Sequence, residues 1–165
     1  MGVSTLAGWE NFFVAEVGAS ATLAGFVFVA ASINLTKIMT YPGLPNRILE
    51  SLVVLLVVLL ISSLHLVPGQ SSKFSGGEML LIGLLAWMMV SQLHVVHLRK
   101  VERQHRWQAL VEALLGQAAM LPFIIIGIVV IASGAESLLW IALGTMCSFL
   151  IVFYNAWVLL IEVNR

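Results

Sequence analysis

The residues best suited to chemistry lie in one charged stretch, HVVHLRKVERQHRW, at positions 94–107. This stretch holds three of the four histidines and four of the eight lysines and arginines. His94 and His97 are three residues apart and share a face if the stretch is helical, a spacing that suits a metal ion. The stretch could instead bind an anionic lipid headgroup, or only mark where the chain leaves a membrane. The elements on either side of it decide between these interpretations.

The composition of the rest of the chain is typical of a membrane protein. Hydrophobic residues make up 61% of the 165 residues and charged residues only 10%, whereas soluble domains average roughly 25% charged residues. The formal net charge is zero, so we expect no binding to nucleic acid. The sequence has no Asp and neither an HExxH nor a GxSxG pattern, so we expect no enzymatic activity. We also expect no cofactor.

Five apolar stretches of about 20 residues each predict transmembrane helices. They lie at about 12–36, 47–67, 77–98, 107–132 and 137–162. The turn-forming segments YPGLPN, VPGQSSKFSGG and SGAE separate them. We therefore expect an all-α integral membrane protein in which residues 1–165 form a single domain, a compact bundle of five helices. The middle of the second span, LVVLLVVLL at 52–60, has no polar residue, so we expect it to face lipid.

Basic residues predict the orientation of these spans. One side of the membrane would carry Lys37, Arg47, Arg99, Lys100, Arg103, Arg106 and Arg165, and the other side only Lys73. By the positive-inside rule, the N-terminus lies outside and the C-terminus in the cytoplasm, with the cell inner (plasma) membrane as the expected location. The charged stretch is then a cytoplasmic loop that anchors two helix ends. Anionic lipid is its expected partner, at Arg99, Lys100, Arg103 and Arg106.

The first span carries a polar stripe. Glu16 and Asn34 are 18 residues apart, which is about five whole turns, so both lie on one helix face with Ser20 between them. The opposite face carries small residues that allow close helix packing, namely Gly18, Ala21, Thr22 and Gly25. We expect the polar stripe to line an ion pathway, with Glu16 at its outer mouth. The alternative is that Glu16 lies at the membrane interface, where a carboxylate needs no partner.

Other polar side chains gather at the cytoplasmic half of the predicted bundle. Counted from the basic loop, His94 lies ~7 Å deep and Glu112 ~9 Å deep on sequential, antiparallel helices. Asn155 of the fifth span belongs to the same half. The candidate site residues are thus Glu16, Ser20, Asn34, His94, Glu112 and Asn155. They form either a hydrogen-bond cluster that specifies packing or an ion-coordinating, protonatable gate. A metal or haem site is not expected.

Two functions are compatible with these patterns. The first is a small homo-oligomeric channel or pore for a small ion, with a cation favoured and the first helix lining the pathway. Five short spans barely enclose a pathway, so the pore would lie at a symmetry axis between subunits. The alternative is a non-transporting accessory or assembly subunit of a larger membrane complex, which the small size and the apolar second span favour.

Overall fold

The computed structural model of the chain describes residues 8–40, 43–101, 103, 106–134 and 138–161. These residues form six helices and no strand. The helices are α1 (Glu10–Ile33), α2 (Leu35–Thr40), α3 (Leu44–His65), α4 (Ser72–Lys100), α5 (Arg106–Ser133) and α6 (Leu138–Leu160). The short helix α2 follows α1 almost at once.

All the helices except α2 are long enough and apolar enough to cross a membrane. Their outward faces are apolar as well, with large side chains such as Phe26, Leu114 and Leu150 exposed by 60%, 68% and 70%. Such a surface suits lipid tails and would be a liability in water. The prediction of five apolar helices of membrane-spanning length is therefore confirmed, and the arrangement is that of a multi-pass membrane protein. The helix ends differ from the predicted ones by a few residues, and α2 was not predicted.

Turn residues separate the helices at the predicted breaks. Gly43 has a φ of 107° directly before α3, a backbone conformation that favours glycine. Pro45 lies in the first turn of α3, where its missing N–H leaves no intrahelical bond unmade. The hydroxyl of Ser71 accepts a hydrogen bond from the Phe74 backbone N–H at 3.4 Å and so caps α4.

Helix α3 lies at the centre of the bundle. It packs against α1, α4 and α6 and also touches α5, and its residues Val54, Val58 and Ile61 are fully buried. The expectation that the LVVLLVVLL segment faces lipid is therefore wrong. A helix without polar residues suits both a lipid-facing position and the core of a bundle. The neighbouring helices on its several sides decide between the two.

The two ends of the bundle differ in polarity. At one end of the bundle, α1, α4 and α6 finish and α3 and α5 begin, and we call this the charged end. We call the opposite end the far end. Contacts across the bundle fix this alternation of direction: Glu50 near the start of α3 meets His94 near the end of α4, and Phe13 near the start of α1 meets His65 at the end of α3.

Close backbone contact aligns α4 with α5. A Cβ atom added at Gly127 of α5 would lie 2.8 Å from the Leu80 backbone nitrogen and 3.0 Å from the Gly76 carbonyl oxygen, both on α4. Glycine therefore lets these two helices approach more closely than larger residues allow. Their close packing confirms that the helices on either side of the charged stretch are neighbours, and it holds their charged ends together.

Candidate functional site

A cluster of buried and half-buried polar side chains occupies the charged end of the bundle. We call it the polar cluster, and its members are Arg47, Glu50, Ser51, His94, Glu112 and Asn155. Helix α3 supplies Arg47, Glu50 and Ser51, at a spacing that places all three on one face. Helices α4, α5 and α6 supply one member each. Four helices thus contribute to one site.

One ion pair and one hydrogen-bonded carboxylate–imidazole pair form the core of the polar cluster. The Arg47 guanidinium pairs with the Glu112 carboxylate, which joins the starts of α3 and α5. The His94 Nε2 atom lies 3.2 Å from Glu50 Oε1, which joins α4 to α3. Glu50 and His94 are 6% and 8% exposed, so this second pair is largely withdrawn from solvent and lipid headgroups.

Neutral side chains extend the network to α6. Arg47 Nη1 donates to Asn155 Oδ1 at 3.4 Å, and Asn155 Nδ2 donates to Ser51 Oγ at 3.1 Å. The Ser51 hydroxyl in turn donates to the Arg47 carbonyl oxygen at 2.8 Å. The guanidinium also lies 5.9 Å from the centre of the Tyr154 ring, within the range of a cation–π contact. Arg47 is therefore fixed from two helices besides its own.

Glycine makes room for the Glu50–His94 pair. A Cβ atom at Gly116 of α5 would overlap Glu50 Oε1 and would lie 2.5 Å from His94 Nε2. The pair therefore rests directly on the α5 backbone. Gly43 has the same relation to His97, since a Cβ atom there would lie 2.5 Å from the His97 ring. Both histidines of the charged stretch that the structure describes thus pack against glycine.

A narrow cleft reaches the polar cluster. Its lining is Gly43, Asn46, Arg47, Glu50, Leu93, His94, His97 and Glu112. A second cleft reaches Arg47, Glu50 and Glu112 from the side of Ile151 and Asn155. Each has room for roughly one water molecule. A hydrated metal ion does not fit in this space, whereas a single water can exchange a proton with the carboxylates and the imidazole.

The metal interpretation of the histidine pair finds no support in the geometry. His94 bonds to Glu50, and His97 packs against Gly43. Within the described ranges, no three side chains of His, Cys, Asp or Glu are placed to hold a metal ion.

The structure brings together three of the six candidate residues chosen from the sequence. His94 and Glu112 line one cleft, and Asn155 joins them through Arg47. His94 and Glu112 each bond to a partner on α3 rather than to each other. Arg47, the first residue of the predicted second span, was counted only among the basic residues that orient the spans, and Glu50 was not among the candidates. In the segment NRILES, Arg47 and Glu50 are three positions apart at the start of an apolar span. This spacing predicts that both lie on one polar face of α3.

The first-span stripe lies elsewhere than expected. Glu16, Ser20 and Asn34 do share one face, but they are only 4%, 0% and 7% exposed, because this face packs against α3 and α6 of the same chain. Asn34 Nδ2 donates to the Leu159 carbonyl oxygen of α6 at 3.0 Å. The stripe is therefore packed inside one chain rather than exposed on the surface of the bundle, and its role in an ion pathway stays a prediction. A polar stripe is better satisfied by hydrogen-bonding partners inside the bundle than by lipid outside it.

The small-residue face of α1 is the exposed one. Gly18, Ala21, Thr22 and Gly25 all lie on the outer surface, and a Cβ atom at Gly18 or Gly25 would meet no atom of the described residues within 4 Å. This face was expected to hold α1 against neighbouring helices, and within one chain it does not.

Comparison of the chain with protein-family models, with curated proteins and with solved structures finds no match. The function proposed below therefore rests on the residues of this chain alone.

Proposed function

We propose that this chain conducts protons across a membrane through the interior of its own helix bundle, with the polar cluster as the gate at the charged end. The observation that carries the proposal is the Glu50–His94 pair, buried among four helices. Ionisable side chains inside transmembrane helices are rare and are commonly part of ion or proton paths. Four of them, Arg47, Glu50, His94 and Glu112, meet at this one site, which favours a role in ion handling over a role in packing alone.

The size of the clefts favours the proton over other small cations. Each cleft has room for roughly one water molecule, which is too little for a hydrated metal cation. Imidazole and carboxylate groups both accept and donate protons in proteins. A proton can therefore pass between water, Glu50 and His94 without any opening of the bundle.

An apolar layer lies between the polar cluster and the far end. Val27 of α1, Val54 and Val58 of α3, and Val152 of α6 are all buried there. A dry apolar layer blocks conduction until water enters it. The rate of conduction is therefore set by how often water enters this layer, and between such events the polar cluster exchanges protons with one side only.

The proposed orientation places the charged end in the cytoplasm and the N-terminus outside, because the basic residues lie almost wholly on one side. Arg99, Arg103 and Arg106 are exposed at this end. Anionic headgroups of the cytoplasmic leaflet would bind them. The inner (plasma) membrane of the cell is the proposed location.

Proton flux into liposomes tests the proposal. The purified chain is reconstituted with a pH-sensitive dye inside, and a potassium gradient with valinomycin drives proton entry. We expect flux well above that of empty liposomes and a reduction of at least about tenfold in Glu50→Gln, since one lost proton-transfer group typically costs 10²–10⁴ in rate. Glu10→Gln, which alters an exposed carboxylate at the start of α1, is the matched control. Absence of flux from the unaltered chain, or equal flux in Glu50→Gln, contradicts the proposal.

The accessory-subunit function remains the second candidate. The exposed small-residue face of α1 supports it, because such a face suits close packing against a helix of another chain. In mild detergent, an accessory subunit would co-purify with foreign subunits and would conduct nothing when reconstituted alone.

A further inference from the structure

Two buried oxygen atoms at the far end of the bundle have no bonding partner. Glu16 Oε2 and Ser62 Oγ are fully buried, and neither makes a hydrogen bond to any residue that the structure describes. Glu16 is 4% exposed and Ser62 is 0% exposed. Buried polar groups in proteins are nearly always paired, so two unpaired oxygens require an explanation.

The two oxygens lie at the same level on facing helices. The Phe13 ring of α1 stacks on the His65 ring of α3, with the ring centroids 4.8 Å apart. Because α1 and α3 are antiparallel, three residues inward from Phe13 and three residues inward from His65 reach the same depth. Those residues are Glu16 and Ser62. Glu16 and Ser62 also face each other, as the Phe13 and His65 rings do, because residues three apart lie on the same face of a helix.

A third helix adds another oxygen. The Thr145 side chain on α6 lies beside the Glu16 carboxyl group and is fully buried, and its hydroxyl donates to the Ala142 carbonyl oxygen at 2.9 Å. One turn deeper, the hydroxyls of Ser20 and Ser148 donate to the backbone carbonyl oxygens of Val17 and Gly144. The three helices α1, α3 and α6 therefore surround Glu16 with side-chain oxygens.

We infer that Glu16, Ser62 and Thr145 form a binding site for a small dehydrated monovalent cation, of which Na⁺ is the test ion. Hard cations take oxygen ligands. An ionised carboxylate with an unpaired oxygen is costly in an apolar interior, and a cation between Glu16 Oε2 and Ser62 Oγ would pair both atoms at once. One carboxylate balances a single positive charge, which favours a monovalent over a divalent ion.

The residues above the site separate it from the far-end surface. Phe13 is 1% exposed and covers the His65 ring. The His65 Nδ1 atom lies 2.8 Å from the Ile61 carbonyl oxygen and must donate to it, so in the neutral ring Nε2 accepts from the Ser75 hydroxyl at 3.2 Å. The His65 ring is thus held in place over Ser62. A site closed in this way suits an ion without its water shell.

Thermal unfolding in detergent tests the inference without any measurement of flux, so its failure is separate from failure of the proposed proton pathway. The chain is melted in NaCl, KCl and choline chloride at equal ionic strength. We expect Na⁺ to raise the melting temperature by several degrees over choline, because an ion that binds only the folded state stabilises it. The shift should vanish in Glu16→Gln and shrink in Ser62→Ala, and it should persist in Glu50→Gln, which alters only the polar cluster.

Binding of radioactive Na⁺ to the purified unaltered chain, measured at equilibrium, provides a readout that does not depend on whether a variant folds. Saturable binding near one ion per chain supports the site. Equal melting in all three salts together with no saturable binding overturns the inference. An undiminished Na⁺ shift in both Glu16→Gln and Ser62→Ala also overturns it, because the ion would then bind elsewhere.

Discussion

The two acidic residues of the polar cluster have partners of different chemistry. Glu112 pairs with Arg47, whose guanidinium does not lose its proton in proteins. Glu50 is hydrogen-bonded to the imidazole of His94, a group that can both accept and donate a proton. The Arg47–Glu112 pair is therefore a fixed connection between α3 and α5. An imidazole can accept and donate a proton whereas a guanidinium only donates hydrogen bonds, which is why the proposed proton path runs through the Glu50–His94 pair.

Alanine at Gly116 should disrupt the Glu50–His94 pair. The added Cβ atom would overlap Glu50 Oε1 and crowd His94 Nε2, so the pair must move away from α5. Both atoms are ends of flexible side chains that can rotate away, so we expect a loss of about 0.5–1.5 kcal/mol in the free energy of unfolding, typical of one hydrogen bond, measured by denaturation in detergent. Gly25→Ala is the control, since nothing described lies near its Cβ position. Equal stability of the two variants would argue against the close contact.

At the scale of helices, the bundle is built from a central helix and a tightly packed pair. Helix α3 contacts helices on several sides and supplies half of the polar cluster. Helices α4 and α5 approach each other through Gly76, Gly83 and Gly127. The close packing fixes the position of α4 along α5. It therefore also fixes the levels at which His94 and Glu112 contact α3.

Alanine at Gly127 should separate α4 from α5. Its Cβ atom would lie 2.8 Å from a backbone nitrogen of α4, and backbone cannot rotate away as a flexible side chain can. We expect a destabilisation of about 1–3 kcal/mol, seen as a lower melting temperature in detergent. In the matched variant Gly77→Ala the added atom meets nothing within 4 Å, so stability should be unchanged or slightly raised. A neutral Gly127→Ala would contradict the packing described for this pair.

At the scale of the whole molecule, polar groups occupy both ends of the bundle and an apolar core lies between them. The polar cluster at the charged end contains both positive and negative side chains, whereas the far-end site contains one carboxylate among hydroxyls. The apolar valines between them separate the two sites. In the two proposals made here, the polar cluster handles protons at the charged end and the far-end site binds a monovalent cation at the other.

The orientation of the whole molecule can be tested directly. Basic residues concentrate at one side of the five spans, so the positive-inside rule predicts a cytoplasmic C-terminus. A reporter that is active only in the cytoplasm should be active when fused after Arg165, and a reporter that requires export should be inactive there. The reverse pattern would place the polar cluster at the outer face.

The sequence alone determined the number of long apolar helices, their approximate limits and the turns between them. These depend on local properties, namely the length of each apolar run and the positions of Gly and Pro. It also determined that Glu16, Ser20 and Asn34 share one face, because helical periodicity is local.

Only the tertiary structure decided which way each face points. An apolar segment is as stable against lipid as it is in a protein core, so the apolar segment of α3 could lie at the centre of the bundle or at its edge. The Arg47–Glu112 and Glu50–His94 pairs join residues 65 and 44 positions apart, and such pairings follow from helix packing rather than from spacing along the chain.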